Sequence, residues 1–172
     1  MYMKKIKNLK VVVGVLAAAA VVGGAVAFWP KSSQAPKTPT YTDTDYGFSF
    51  SYPEGYTASA FSDLEGTKTI LLGSEASKSG AQVFISLFDE DIVLTVERIK
   101  EEMPELVVLE PQNISVDGAT GVVFRSTNAL DTESRELWFI YTGNLYQISI
   151  PTTIQTRPEL FDAIIKTWKW SK

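Results

Sequence analysis

The chain has 172 residues, with 20 acids against 16 Lys and Arg, a net charge of −4, and neither cysteine nor histidine. Those two absences exclude disulfides, a lipidated cysteine anchor, thiolate chemistry, Ser-His-Asp and Cys-His triads, and His-ligated zinc. All 20 acids lie at or after Asp43, where only ten of the basic residues lie; the body is therefore near −10, the first forty residues are +6, and nucleic acid is not expected as a partner.

Taken in order, Met1–Lys10 carries Lys4, Lys5, Lys7 and Lys10 and no acid. Val11–Trp29 follows with no charge and no strong polar group. As a helix it spans roughly 28 Å, close to the roughly 30 Å hydrocarbon core of a bilayer. The basic flank predicts that the N-terminus stays in the cytoplasm and that the rest lies outside. Two readings stay open. Val11–Trp29 is a retained anchor in the cell membrane, or it is a signal peptide cleaved after Ala27, at the small-x-small run Ala25-Val26-Ala27. Either exports the body. Residues 30–44 begin PKSSQAPKTPT and read as an extended tether. Residues 45–172 read as one extracytoplasmic domain with room for a proper core.

Within that domain, Tyr46, Phe48, Phe50 and Tyr52 alternate with small residues. This predicts a strand with an aromatic face, turned into the core or, less economically, serving as a platform for a sugar or base. Pro53-Glu54-Gly55 turns the chain. Tyr56–Phe61 and Thr67–Gly73 read as strands. Ala81–Phe88 is apolar on both faces, with Val83, Ile85 and Leu87 on one and Phe84 and Phe88 on the other, which predicts a central strand covered on both sides. Asp89-Glu90-Asp91 lacks the alternating ligands and glycine of a calcium loop and reads as a solvated loop or helix start, although weak metal binding there stays open.

Val96, Ile99 and Met103 predict a short amphipathic helix over Thr95–Met103, stopped by Pro104. Glu101, Glu102 and Glu105 are expected on its charged outer face. Asn113–Val116 and Ala119–Thr127 flank Asp117-Gly118, and Glu136–Tyr141 and Leu145–Ile150 flank Gly143-Asn144; both pairs read as hairpins. Leu137, Phe139 and Tyr141 are expected on one face, Trp138 and Ile140 on the other. Arg125, Arg135 and Glu136 are expected to pair across strands on the wet face. Thr156-Arg157-Pro158-Glu159 fits a capping box, and Leu160, Phe161, Ile164, Ile165 and Trp168 form the apolar stripe of a last helix. Trp168-Lys169-Trp170 ends that helix or forms a short final strand.

The expected fold is α+β: about seven twisted antiparallel strands covered by helices, with the internal helix after the fourth strand. The run Tyr46-Gly-Phe-Ser-Phe-Ser-Tyr-Pro-Glu-Gly-Tyr56 resembles the first strand of PsbP-like domains. The Val116-Asp-Gly118 turn, the paired strands Glu136–Tyr141 and Leu145–Ile150, and the closing Phe161, Ile165 and Trp168-Lys-Trp170 follow the same order. The resemblance covers about Thr42–Lys172 and implies an α/β/α sandwich. Tyr56 stands where Trp is usual. Photosynthetic members of that family assist the oxygen-evolving complex, and many bacterial members are exported proteins. The histidines tied to the photosynthetic role are missing here, so the resemblance implies no metal, no cofactor and no functional residue for this chain.

Three functions follow as expectations. The first is a non-enzymatic, membrane-tethered domain that binds a protein partner or assists an envelope assembly. The second is a small-ligand or lipid carrier with a pocket between sheet and helix lined by Phe84, Phe88, Trp138 and Trp168. The third is a hydrolase using carboxylates alone, which needs two acids converging at roughly 5–9 Å. The candidate ligand or partner surface is Phe84, Phe88, Trp138, Trp168 and Trp170.

Overall fold

The computed structural model describes residues 38–63, 66–76, 79–88, 90–127, 133–152 and 158–171. The anchor or signal segment 11–29, Asp89 and most of the proposed capping box lie outside these residues. Among the described residues no helix is long and apolar enough to cross a membrane.

Among the described residues, ten strands and two helices follow in chain order: β1 (Thr40–Asp43), β2 (Phe48–Ser51), β3 (Thr57–Ser62), β4 (Lys68–Ser74), β5 (Ser79–Leu87), α1 (Val96–Glu102), β6 (Leu109–Val116), β7 (Ala119–Thr127), β8 (Glu133–Tyr141), β9 (Asn144–Pro151), α2 (Pro158–Thr167) and β10 (Lys169–Trp170). Seven strands form one antiparallel sheet in the order β3-β4-β5-β9-β8-β7-β6, and β1, β2 and β10 form a separate small sheet with β2 in the middle. The aromatic strand at the start of the domain is thus not part of the main sheet. It pairs with β1, cut from what the sequence reads as tether, and with the closing β10.

The small sheet and α2 cover one face of the main sheet. Phe48 and Phe50 from β2 and Leu160, Phe161 and Ile164 from α2 share a core with Ile70, Val83, Ile85, Leu137, Phe139, Tyr146 and Ile148. The β2 aromatics therefore face inward, as the alternation predicts. Trp168, which follows α2, lies near-parallel to Phe48 and Phe50 with centroids 4.4 and 5.5 Å away. Tyr141 and Trp170 stack at 3.8 Å. Such rings bury large areas and gain from offset contact beyond that area. The layers match the expected sandwich, with α1 on the opposite face.

Polar contacts fix the small sheet. Buried Asp43 at the end of β1 accepts from Lys68 Nζ of β4 at 2.6 Å, from the Tyr41 hydroxyl at 2.9 Å and from the Tyr46 amide at 3.1 Å. Burial by itself pushes the Asp43 carboxyl up; the bonds from Lys68, Tyr46 and Tyr41 outweigh it and hold the group below its ordinary range. Burial likewise pulls Lys68 down, and its bonds to Asp43 and Asp45 reverse that and hold it above its ordinary value. Tyr41 is pushed up to about 12 by burial and by its bond to Asp43. At the other end, Asp117 in the β6–β7 turn accepts from Lys169 Nζ at 2.6 Å and from the Trp170 amide at 2.8 Å, pinning β10.

Four local expectations are corrected. The β8–β9 turn is Thr142-Gly143, with φ of 47° and 71°, and Asn144 already pairs with Tyr141 in the ladder. Two central residues with positive φ make the turn that matches strand twist, and here a threonine rather than an asparagine fills the first place. The central strand β5 is not covered on both faces: Leu87 at its end is 72% exposed, and Phe84 is only half-buried. Arg125 pairs with Glu110 and Glu133, and Arg135 with Asp162; neither meets Glu136, which lies on the opposite face and is buried. Met103 is exposed, and Leu94 takes its place beside Ile99 in the core under α1.

Candidate functional site

The uncovered part of the second sheet face follows from register. Two neighbouring rows of residues cross the sheet there. One runs Phe61, Thr69, Phe84, Gln147, Trp138, Val122, and the other runs Ser59, Leu71, Gln82, Ser149, Glu136, Phe124. Side chains in such rows share one face because cross-strand partners point the same way. Their β7 ends, Val122 and Phe124, are buried under α1 with Leu94, Ile99, Trp138 and Ile140. Their β3 side is open: Phe61 of β3 is 59% exposed and Leu71 of β4 is 42% exposed. Helix α1 has only seven residues, about 10 Å, and cannot span a seven-strand sheet about 29 Å wide.

Where cover runs out, Gln82, Phe84, Glu136, Trp138, Gln147 and Ser149 line a hollow of about 330 Å³. Glu136 is 7% exposed. Its Oε1 lies 2.6 Å from the Ser134 hydroxyl, 2.8 Å from that of Ser149 and 3.2 Å from that of Ser126, and its Oε2 accepts from Trp138 Nε1 at 3.3 Å. Ser126 and Ser134 also bond to each other at 2.8 Å, so one of those two hydroxyls donates to the other and not to the carboxylate, and every donor to Glu136 is neutral. No Lys or Arg among the described residues pairs with it. Two smaller hollows, of about 230 and 220 Å³, flank Arg135 and differ in kind, because each already holds bases beside acids such as Glu110 and Asp162.

The five residues singled out from the sequence do not form one surface. Phe84 and Trp138 line the hollow. Phe88 packs beside it against the core under α1, with the Arg98 guanidinium 5.3 Å from its ring. Trp168 and Trp170 belong to the opposite face, Trp168 fully buried there, so the expected joint pocket of Phe84, Phe88, Trp138 and Trp168 does not form. Glu136 is the residue that sequence reasoning misplaced. Its parity was available: two residues before Trp138, it must share the face assigned to Trp138 and Ile140. Glu90 is bonded to Arg98 at 3.1 Å, and Glu102 to the same guanidinium at 2.7 Å. No group of three or more Asp or Glu suited to a metal occurs among the described residues. Among the described residues Glu136 is the one carboxylate lining its hollow, so no two described acids converge there.

These layers define an α/β/α sandwich with an antiparallel centre. The fold is PsbP-like: the solution structure of cyanobacterial PsbP (CyanoP) from Synechocystis sp. PCC 6803 aligns with a TM-score of 0.55 and 15% identity, over 77% of this chain and 91% of that one. A crystal structure from Bacteroides thetaiotaomicron VPI-5482 aligns with a TM-score of 0.49 and 12% identity, over 77% of this chain and 48% of that one. No family model matches the sequence, and no curated protein matches it.

Proposed function

We propose that this chain is an exported, membrane-tethered, non-catalytic domain that binds an extended segment of a protein partner along β3. The N-terminal sequence supports the tether: a basic head, nineteen uncharged residues from Val11 to Trp29, and a Pro-rich spacer. Its likeness in fold to a cyanobacterial PsbP is in keeping with a non-catalytic role.

The observation that carries the reading is the contrast between the two edges of the main sheet. β6 is guarded by Glu110 and Pro111 and by a register break between Leu109 and Gln112. Such features stop strand addition. β3 reads TASAFS, holds no charge and no proline, and pairs with β4 without a break. Its own Phe61 and Leu71 of neighbouring β4 are exposed. An unguarded edge flanked by apolar side chains is suited to an added strand, whose backbone supplies hydrogen bonds while its alternate side chains cover the apolar face.

The test is photo-crosslinking in the native cell, with a photoreactive residue at Ser59 and, separately, at Asn113 on the guarded edge. A discrete adduct from Ser59 and none from Asn113 is expected. No adduct from Ser59, or the same adduct from both sites, overturns the docking reading. One observation favours a second reading, a small-ligand carrier: the hollow over Glu136. Its carboxylate and two glutamines suit a polar ligand rather than an acyl chain.

A further inference from the structure

We propose that the hollow over Glu136 binds a small organic cation, an ammonium or guanidinium compound, with its charge on Glu136 and its carbon frame against Phe84 and Trp138. This deepens the small-ligand reading and is independent of docking at β3.

A buried carboxylate loses hydration, and neutral hydrogen bonds replace only part of it; a cation replaces the rest. Glu136 has no cationic partner among the described residues, whereas Asp43, the other buried acid in the described core, has Lys68. Capacity is also uneven. Oε1 takes two hydroxyl donors, Ser149 and one of the mutually bonded Ser126 and Ser134, and Oε2 takes one long bond from the Trp138 indole. A carboxylate oxygen has about two lone-pair sites, so Oε2 retains room for a donor.

The walls agree with that sign. Phe84 and Trp138 offer aromatic rings, which attract cations through their quadrupole. Gln82 and Gln147 offer amide oxygens to further N–H groups, and no described basic residue lines the hollow to repel a cation. Its 330 Å³ falls at the lower end of the roughly 300–1,000 Å³ of small-molecule sites. The site lies near the centre of the rows that α1 leaves partly uncovered, reachable from the β3 side.

The experiment uses the full chain in a non-ionic detergent. Choline, agmatine and n-butylammonium are titrated by calorimetry, with the Trp138 indole N–H followed by NMR. The neutral choline isostere 3,3-dimethylbutan-1-ol and glucose are titrated alongside. At least one cation is expected to bind and shift the Trp138 signal, at least roughly tenfold more tightly than either neutral compound. Glu136→Gln should lower that affinity by roughly tenfold or more. If Glu136→Gln does not fold, Phe84→Ala, at the rim, should weaken the cation several-fold, and the comparison with the isostere needs no variant at all. No binding by any cation, equal or tighter binding of a neutral compound, or binding unchanged in Glu136→Gln overturns the proposal. None of these results bears on crosslinking from Ser59, so the partner reading stands or falls separately.

Discussion

The two faces of the main sheet are built from the same strands and carry opposite chemistry. On the face under β2 and α2, alternate residues such as Ile70, Val83, Ile85, Leu137, Phe139, Tyr146 and Ile148 are all buried, and the aromatic rings of β2 and β10 close over them. On the other face the same strands contribute Leu71, Gln82, Phe84, Glu136, Gln147 and Ser149, and α1 covers only the β7–β8 side. The difference teaches where the fold spends its apolar area. One face holds the molecule together, and the other is left wide, partly apolar and centred on a charge without a described counter-charge.

Substitutions sharpen that division. The largest effect is expected at Trp168, fully buried against Phe48 and Phe50. Trp168→Ala should destabilise by about 3–5 kcal/mol in urea unfolding. Phe84→Ala, on a half-buried ring of the other face, should lose only about 1 kcal/mol by the same measurement. Equal losses would mean that the second face is as much a part of the core as the first.

The next effect concerns the Asp43–Lys68 pair that joins β1 to β4. Asp43→Asn should destabilise by about 3 kcal/mol near neutral pH, because it leaves Lys68 buried with only exposed Asp45 beside it. The pH dependence has a definite sign. Asp43 is held below its ordinary range, so its contribution is complete above about pH 4 and is lost as pH falls through its folded pKa. Lys68 is held above its ordinary value, so its contribution is complete below about pH 10 and is lost as pH rises through its folded pKa. Chemical unfolding across pH should therefore show a shallower acid limb in Asp43→Asn than in the parent chain.

The smallest effect is a gain. Thr142 is β-branched and sits at φ 47° in the β8–β9 turn. Thr142→Asn suits that left-handed position better and should raise stability by about 0.5–1 kcal/mol, read as an increase in Tm.

Periodicity made the main architecture legible. The alternation in Phe48, Phe50 and Tyr52, the parity of Leu137 and Phe139 against Trp138 and Ile140, and the stripe Leu160, Phe161, Ile164 all predict faces that the fold then buries. Pairing was not legible, because period two says which face a residue takes and nothing about its neighbours. Hence the sequence pattern puts β2 in the main sheet, makes β1 part of a tether and groups Trp168 with Phe84, although they lie on opposite faces. Glu136 escapes the sequence pattern for a different reason. A charged residue next to Arg135 reads as solvated, and only the convergence of Ser126, Ser134 and Ser149, from three strands, makes its burial possible. That convergence exists only once the registers of β7, β8 and β9 are set.

The proposed docking at β3 requires that the uncovered face and its edge serve binding rather than stability. The most direct measurement pairs Phe61→Lys with the crosslinker at Ser59 in the native cell and records adduct yield beside the Tm of the purified variant. Phe61 is largely exposed, so stability should change by no more than about 0.5 kcal/mol. The adduct should disappear while the Tm holds. An undiminished adduct, or a variant that no longer folds, would contradict it.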